Sequence, residues 1–199
     1  MSKGNLFIIS GPSGAGKGTI CKILSESDDI YLSVSVTTRN KRNDETDGVT
    51  YIYDTTENFL DRIKNGKMLE WAQYQGNFYG TPKDIVEEKL ASGINVILEI
   101  EVQGALKVKE QMPEAVMIFV IPPSIEELRK RLIGRGREDE REINRRIAVA
   151  SSELLKSPLY SHVIINDNLA HSTEIIRRII DERKERLSLI DSLLNEINQ

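Results

Sequence analysis

The chain has 199 residues, 39% of them hydrophobic and 29% charged, with a formal net charge of −4 and a single cysteine. That length suits one α/β domain carrying insertions, and the apolar fraction is sufficient for a core. The negative balance argues against a general nucleic-acid or anionic-membrane binder but not against a small anionic ligand, which responds to local charge; Cys21 alone cannot form an internal disulfide and suits a reducing compartment.

The opening segment from Met1 to Ser10 has one early lysine and a short apolar run. That run is too short for a signal-peptide core or a membrane span, so a cytoplasmic protein is expected. Leu6–Ser10 reads as a buried strand, followed by a Gly-rich turn and a helix from Lys17 to Ser27. Asn95–Ile100 is a second buried strand with a helix after it. Ala115–Ile121 is a third. Pro122 and Pro123 stop it, and Ser124 with Glu127 forms a capping box that opens the next helix. His162–Asn166 is a fourth strand, and Leu169–Asn198 reads as one or two long helices. Strands alternating with helices predict an α/β fold of three layers, helices on both faces of a central parallel sheet.

Two stretches break this rhythm. Residues 34–91 offer short, half-polar strands at Val49–Tyr53, Met68–Tyr74 and Phe78–Gly80, with a helix near Thr56–Asn65, and read as a small α+β insertion. Residues 134–146 are dense in arginine and read as a lid. The expected organisation is a single unit over 1–199, with a core of 1–33, 92–133 and 147–199. Both interruptions fall at the edge of the sheet where α/β proteins bind ligands.

Gly11-Pro12-Ser13-Gly14-Ala15-Gly16-Lys17 follows a strand and opens a helix. Its glycines let backbone N–H groups turn inward around an anion, and the helix N-terminus adds its dipole. Lys17 can reach the β- and γ-phosphates of a nucleotide. The competing reading, a tight turn beside an exposed lysine, is poorly matched to the GxxxxGK spacing in this P-loop context. The pattern places Ser or Thr after the lysine, yet this chain has Gly18 and offers its hydroxyl at Thr19. Either a metal sits on water and triphosphate oxygens, or Thr19 assists phosphate binding; Mg²⁺ readily retains water. This departure, with no Asn-Lys-x-Asp string, argues against a switch GTPase.

Arg39 and Arg42 lie among hydroxyl residues in Ser35-Val36-Thr37-Thr38, and their planar forks suit phosphate oxygens, although a solvated loop is an equal reading. Tyr51 and Tyr79 either donate to a phosphate or are core aromatics with a wet hydroxyl. Glu99-Ile100-Glu101 closes a buried strand, where an acid of a P-loop protein holds Mg²⁺ or its waters; the bland alternative is an ion pair with a lid arginine. Guanine presents N1–H and N2–H₂ donors beside an O6 acceptor. Carboxylates from Glu70 and Glu101 with hydroxyls from Ser35 and Thr81 match that edge, and adenine would leave buried acids unpaired, although a surface position on its strand is the bland reading of Glu70.

Arg131, Arg135, Arg137, Arg141, Arg145 and Arg146 crowd a short stretch that includes the second interruption. Placed arginines stabilise the charge that spreads over a transferring phosphoryl group, and Gly134 and Gly136 would let the segment hinge. Glu138, Asp139, Glu140 and Glu142 are interspersed, and for Arg137 and Arg141 an exposed ion-paired helix is the preferred reading. His162 and His171 fit no catalytic role, and a phosphate nucleophile needs no general base. Leu187, Ile190, Leu194 and Ile197 fall at helical spacing and would pack on the core or on a partner.

The strings SGPSGAGK, SVSVTTR, DGVTY, EWAQ, GNFYGTP, PPS, RLIGRG and INRR, in this order from Ile8 to Asp181, closely resemble the bacterial guanylate kinases. The resemblance implies a P-loop core, a GMP-binding insertion and a lid. It also implies Mg²⁺-dependent transfer from ATP to GMP in purine nucleotide metabolism and GMP recycling. Gly11 to Gly18 with Thr19 would hold ATP, and Asn168 would lie near the adenine. Ser35, Glu70, Thr81 and Glu101 would read guanine, and Arg39, Arg42, Tyr51 and Tyr79 would hold the GMP phosphate. Lys17, Arg135 and Arg146 would be catalytic; only the resemblance selects these two arginines from the cluster. The metal would ride on ATP and water, with Thr19 or Glu99 as candidate ligands. Family members often carry Asp-x-Asp at Glu99–Glu101 and Ser or Thr at Gly18; neither change removes a charge the chemistry needs. ATP and GMP are the expected partners, with dGMP a candidate acceptor, no nucleic acid and no membrane; monomer and homo-oligomer stay open. The alternatives are a kinase for another nucleoside monophosphate and a non-catalytic, peptide-binding domain of the same fold.

Overall fold

Leu6–Ser10 (β1) is buried along its whole length, as a strand covered on both faces must be. The computed structural model describes residues 3–74, 76–134 and 139–197. In it β1 is the middle strand of a five-stranded sheet. Its neighbours are Asn95–Glu99 (β7) and Val116–Ile121 (β8), with Ile30–Leu32 (β2) outside β7 and His162–Ile165 (β9) outside β8. Every pairing in this sheet is parallel. The period-two alternation of a strand divides β1 between two cores: Leu6 and Ile8 join one cluster, Phe7 and Ile9 the other. Ile9 lies level with Glu99 of β7, so the carboxyl ends of these strands share one rim.

Lys17–Leu24 (α1) and Leu169–Ile197 (α7) cover one face; Ile20, Cys21 and Leu24 meet Ile176 and Ile180 there. Lys83–Ala91 (α3) and Val102–Gln111 (α4) cover the other through Val86, Leu90, Val102, Ala105 and Val108. Ile125–Gly134 (α5) and Glu140–Leu154 (α6) pack on each other through Leu128, Leu132, Ile143 and Ala150. The predicted capping box forms: Ser124 Oγ accepts from the Glu127 N–H at 3.0 Å.

A second, four-stranded sheet has the order β4-β3-β6-β5, built from Val36–Thr37 (β3), Ile52–Tyr53 (β4), Met68–Tyr74 (β5) and Asn77–Pro82 (β6). Thr56–Lys64 (α2) closes its small core, in which Val36, Phe59 and Met68 are buried. Thr55 caps α2 by accepting from the Asn58 N–H.

Several boundaries differ from the sequence reading. The strand expected over Val49–Tyr53 is only Ile52–Tyr53, and the one expected over Phe78–Gly80 extends to Asn77–Pro82. α1 ends at Leu24, where the Ser25 N–H bonds to the Cys21 carbonyl. The final helix is continuous over Leu169–Ile197. Helix α3 falls inside the predicted insertion 34–91, yet Val86 and Leu90 pack in the main core, as does Leu69 of β5. Of the predicted lid, residues 135–138 lie outside the described residues, and 140–146 form the first turns of α6, capped by Asp139.

Candidate active site

At the end of β1 the chain turns through Gly11, Gly14 and Gly16, all at positive φ. Two of these glycines are dictated by close approach. A Cβ on Gly11 would lie 2.1 Å from the Val120 carbonyl of β8, and one on Gly16 would lie 2.3 Å from Asn166 Nδ2. That amide donates to the Ala15 carbonyl at 2.8 Å and ties the loop to the end of β9. Gly16 is the N-cap of α1 without a side-chain bond, and the first turn carries no acid, so the helix end presents its amides and dipole undiminished. Lys17 folds back over the loop and donates to the carbonyls of Gly11 at 2.5 Å and Pro12 at 3.1 Å. Burial lowers its pKa, and Glu99 is the foremost acid opposing that shift, followed by Glu153 and more weakly Glu101.

Glu99 closes β7 beside this loop. A Cβ on Gly18 would meet both of its carboxylate oxygens at 3.4 Å. Thr19 is exposed in the first turn of α1. Glu101 is exposed as the N-cap residue of α4. Its charge acts on Lys17 on one side and on Glu70 on the other.

Glu70 and Thr81 meet by strand register. They are partners across β5 and β6, and Thr81 Oγ1 donates to Glu70 Oε1 at 2.8 Å. Burial raises the Glu70 pKa, with Thr81 and the charge of Lys107 opposing. Ser35 is half-buried before β3, its carbonyl accepting from the Ile52 N–H. Tyr51 and Tyr79 pack edge to face with ring centroids 5.9 Å apart, and the Arg39 guanidinium lies 5.6 Å from the Tyr51 ring centre. Burial pushes the Tyr51 phenol up, and its neighbours Tyr79, Glu45 and Glu99 add to the shift while Arg39 opposes it. Arg42 is exposed, with its backbone N–H bonded to Glu45.

The sequence reading gave Glu45 no role, yet it organises this cluster. It accepts from Arg39 at 2.6 Å through Oε1, and through Oε2 from the Arg42 N–H and the Tyr53 hydroxyl, each at 2.8 Å. The Arg39 guanidinium, then the Arg42 N–H, hold its carboxyl down to about 2. Nothing in its sequence neighbourhood distinguishes it from the other charges of that loop.

Arg146 is half-buried on α6, 3.9 Å from Glu142, whose carboxylate Arg145 grips with two bonds. Arg135 lies outside the described residues, as does Arg137; Arg141 is exposed. Arg131 bridges Glu127 and the Asn166 carbonyl, each at 2.9 Å, and so braces the structure behind the loop. Asn168 opens α7: its Oδ1 accepts from the His171 N–H at 3.0 Å.

A cradle of backbone amides with an ammonium group thus faces a small sheet bearing a carboxylate–hydroxyl pair and an arginine–tyrosine cluster. Such a cleft can hold a polyphosphate on one side and a polar planar ring with its own phosphate on the other.

The family described as guanylate kinase matches residues 3–183. The chain is 47% identical over 190 residues to the guanylate kinase of Oceanobacillus iheyensis, covering 94% of this chain and 92% of that protein. It is 48% identical over 197 residues to that of Clostridioides difficile, covering 98% and 96%. The crystal structure of guanylate kinase from Anaplasma phagocytophilum superposes with a TM-score of 0.73 at 34% identity, covering 92% of this chain and 87% of that one.

Proposed function

The chain belongs to the guanylate kinase family, whose reaction converts ATP and GMP to ADP and GDP, and we propose a division of that work among its residues. The amides of Gly11 to Gly18 surround the ATP phosphates, with Thr19 completing the first turn. Lys17 exchanges its bonds to the Gly11 and Pro12 carbonyls for the β- and γ-phosphate oxygens. The polyanion opposes the downward shift that burial imposes on this ammonium group. Asn168, at the head of α7, borders the adenine side.

Glu70 and Glu101 accept from guanine N1–H and N2–H₂, while Ser35 donates to O6 and Thr81 turns its single hydroxyl proton from Glu70 to O6 as the base enters. Arg39, Arg42, Tyr51 and Tyr79 hold the GMP phosphate. Glu45 keeps Arg39 oriented in the absence of ligand, and the phosphate takes over that guanidinium on binding. A GMP phosphate oxygen then attacks the γ-phosphorus, the bond to the β–γ bridging oxygen breaks, and ADP leaves with that electron pair. Arg146 and Arg135 neutralise the equatorial oxygens during transfer.

Mg²⁺ fits the donors of this cleft. Glu99 supplies hard carboxylate oxygens beside Gly18, where no side chain obstructs them. Glu99, with Thr19, would hold the ion through water and phosphate oxygens, and bound there it offsets charge on the β- and γ-phosphates. ATP and GMP are cytoplasmic metabolites, which puts the site of action in the cytoplasm; dGMP, with the same base edge, is a further acceptor.

The observation that carries this reading is the Glu70–Thr81 pair, a carboxylate and a hydroxyl side by side, with the Glu101 charge acting on both Glu70 and Lys17. Purified protein with Mg²⁺, ATP and either GMP or AMP tests it by ADP release. GMP is expected to be preferred by at least about a hundredfold in kcat/KM. Equal rates, or no GDP at all, would defeat the assignment.

A further inference from the structure

Gly104 lies in the first turn of α4, and glycine is among the poorest helix formers. Its backbone is not left-handed, so conformation alone does not demand glycine there. The demand comes from across the cleft. A Cβ at this position would lie 2.9 Å from Glu70 Oε2, 3.2 Å from its Cδ and 3.4 Å from its Cγ. The Glu70 side chain therefore rests directly on the bare backbone of α4, while its other oxygen accepts from Thr81.

We propose that Gly104 is a specificity-setting positioning residue: its missing side chain fixes where the Glu70 carboxylate lies and thereby sets the fit of the acceptor pocket to guanine. This rests on the reading of Glu70 as a guanine acceptor. A methyl group at 104 displaces the far end of a flexible side chain and leaves the rest of the helix in place. The carboxylate then loses its register with Thr81 and with the purine N–H edge, and a misplaced acceptor leaves those donors unpaired.

The test is a double-mutant cycle with Gly104→Ala, Glu70→Ala and both together, read by calorimetric binding of GMP and of MgATP and by thermal unfolding. Gly104→Ala is expected to weaken GMP binding about tenfold or more and to change MgATP binding less than about twofold. Its Tm should equal or exceed the parent's, because alanine favours the helix. With Glu70 already removed, adding Gly104→Ala should cost no further GMP affinity. The inference is overturned if Gly104→Ala binds GMP like the parent, if its loss adds in full to that of Glu70→Ala, or if it unfolds. Should Glu70→Ala alone keep parental GMP affinity, the guanine reading itself fails, and the role of Gly104 with it; a loss in Glu70→Ala without one in Gly104→Ala sinks only the second.

Discussion

The phosphate loop is made of backbone, whereas the acceptor pocket is made of side chains. Gly11 and Gly16 are pressed against β8 and β9 so closely that no side chain fits, and the loop's shape is settled before any ligand arrives. The pocket draws on β3, β4, β5, β6 and α4, and its charged groups wait on internal partners: Arg39 on Glu45, Glu70 on Thr81. A backbone cradle suits the phosphate tail that every nucleoside triphosphate shares, since amides recognise charge and not identity. A side-chain pocket suits discrimination, since each group can be matched to one edge of one base.

The largest expected effect separates chemistry from architecture in the loop. Lys17→Ala should lower kcat by about a thousandfold. It should leave Tm nearly unchanged, because, among the described residues, the lysine's hydrogen bonds go to carbonyls of its own loop. ADP-release kinetics beside melting curves check both, and a collapse of Tm would show the lysine to be part of the frame.

Asn166→Ala probes a tertiary hydrogen bond to that otherwise local loop. Its amide is buried and bonds the Ala15 carbonyl, so the variant leaves a buried acceptor unsatisfied, at a cost of about 1–3 kcal/mol. MgATP affinity should fall with the stability while GMP affinity holds. Chemical denaturation and calorimetry measure the two, and undiminished MgATP binding would mean that the loop keeps its shape without that bond.

The smallest effect belongs to the pocket and appears with acid. Glu45 is held well below its ordinary range, to about 2, by Arg39 and the Arg42 N–H. A carboxylate depressed on folding contributes stability that is complete above its unfolded pKa of about 4.5 and is lost as pH falls through that value toward 2. Glu45→Gln should therefore lower Tm by about 1–2 °C near neutral pH, and the difference from the parent should vanish toward pH 2. A gap that widened in acid would contradict the pairing.

The two regions were also unequally legible. The loop from Gly11 to Lys17 could be read directly because it is contiguous with β1: one run, Leu6 to Lys17, supplies strand, turn, amides and ammonium. The four long strands of the main sheet were legible as apolar runs, while β2, three residues long and only partly buried, carried no such signal. Helix α3 reads as part of the insertion in chain order, yet Val86 and Leu90 face the main core, because burial follows the nearest apolar surface and not the order of segments. Glu45 and Gly104 were invisible for one reason: each matters through a residue that the fold brings close, remote in the chain for Gly104 and across a turn for Glu45.

Sequence by itself determined the parallel α/β architecture, the glycine-rich turn between β1 and α1 and the set of polar residues from which an acceptor pocket is proposed, because periodicity and a contiguous motif are local properties. Tertiary structure alone decided that Glu70 meets Thr81, that Arg39 waits on Glu45, and that the Glu70 side chain rests on the bare backbone at Gly104. Strand register and side-chain packing join positions far apart in the chain, and no local preference encodes which of them will touch.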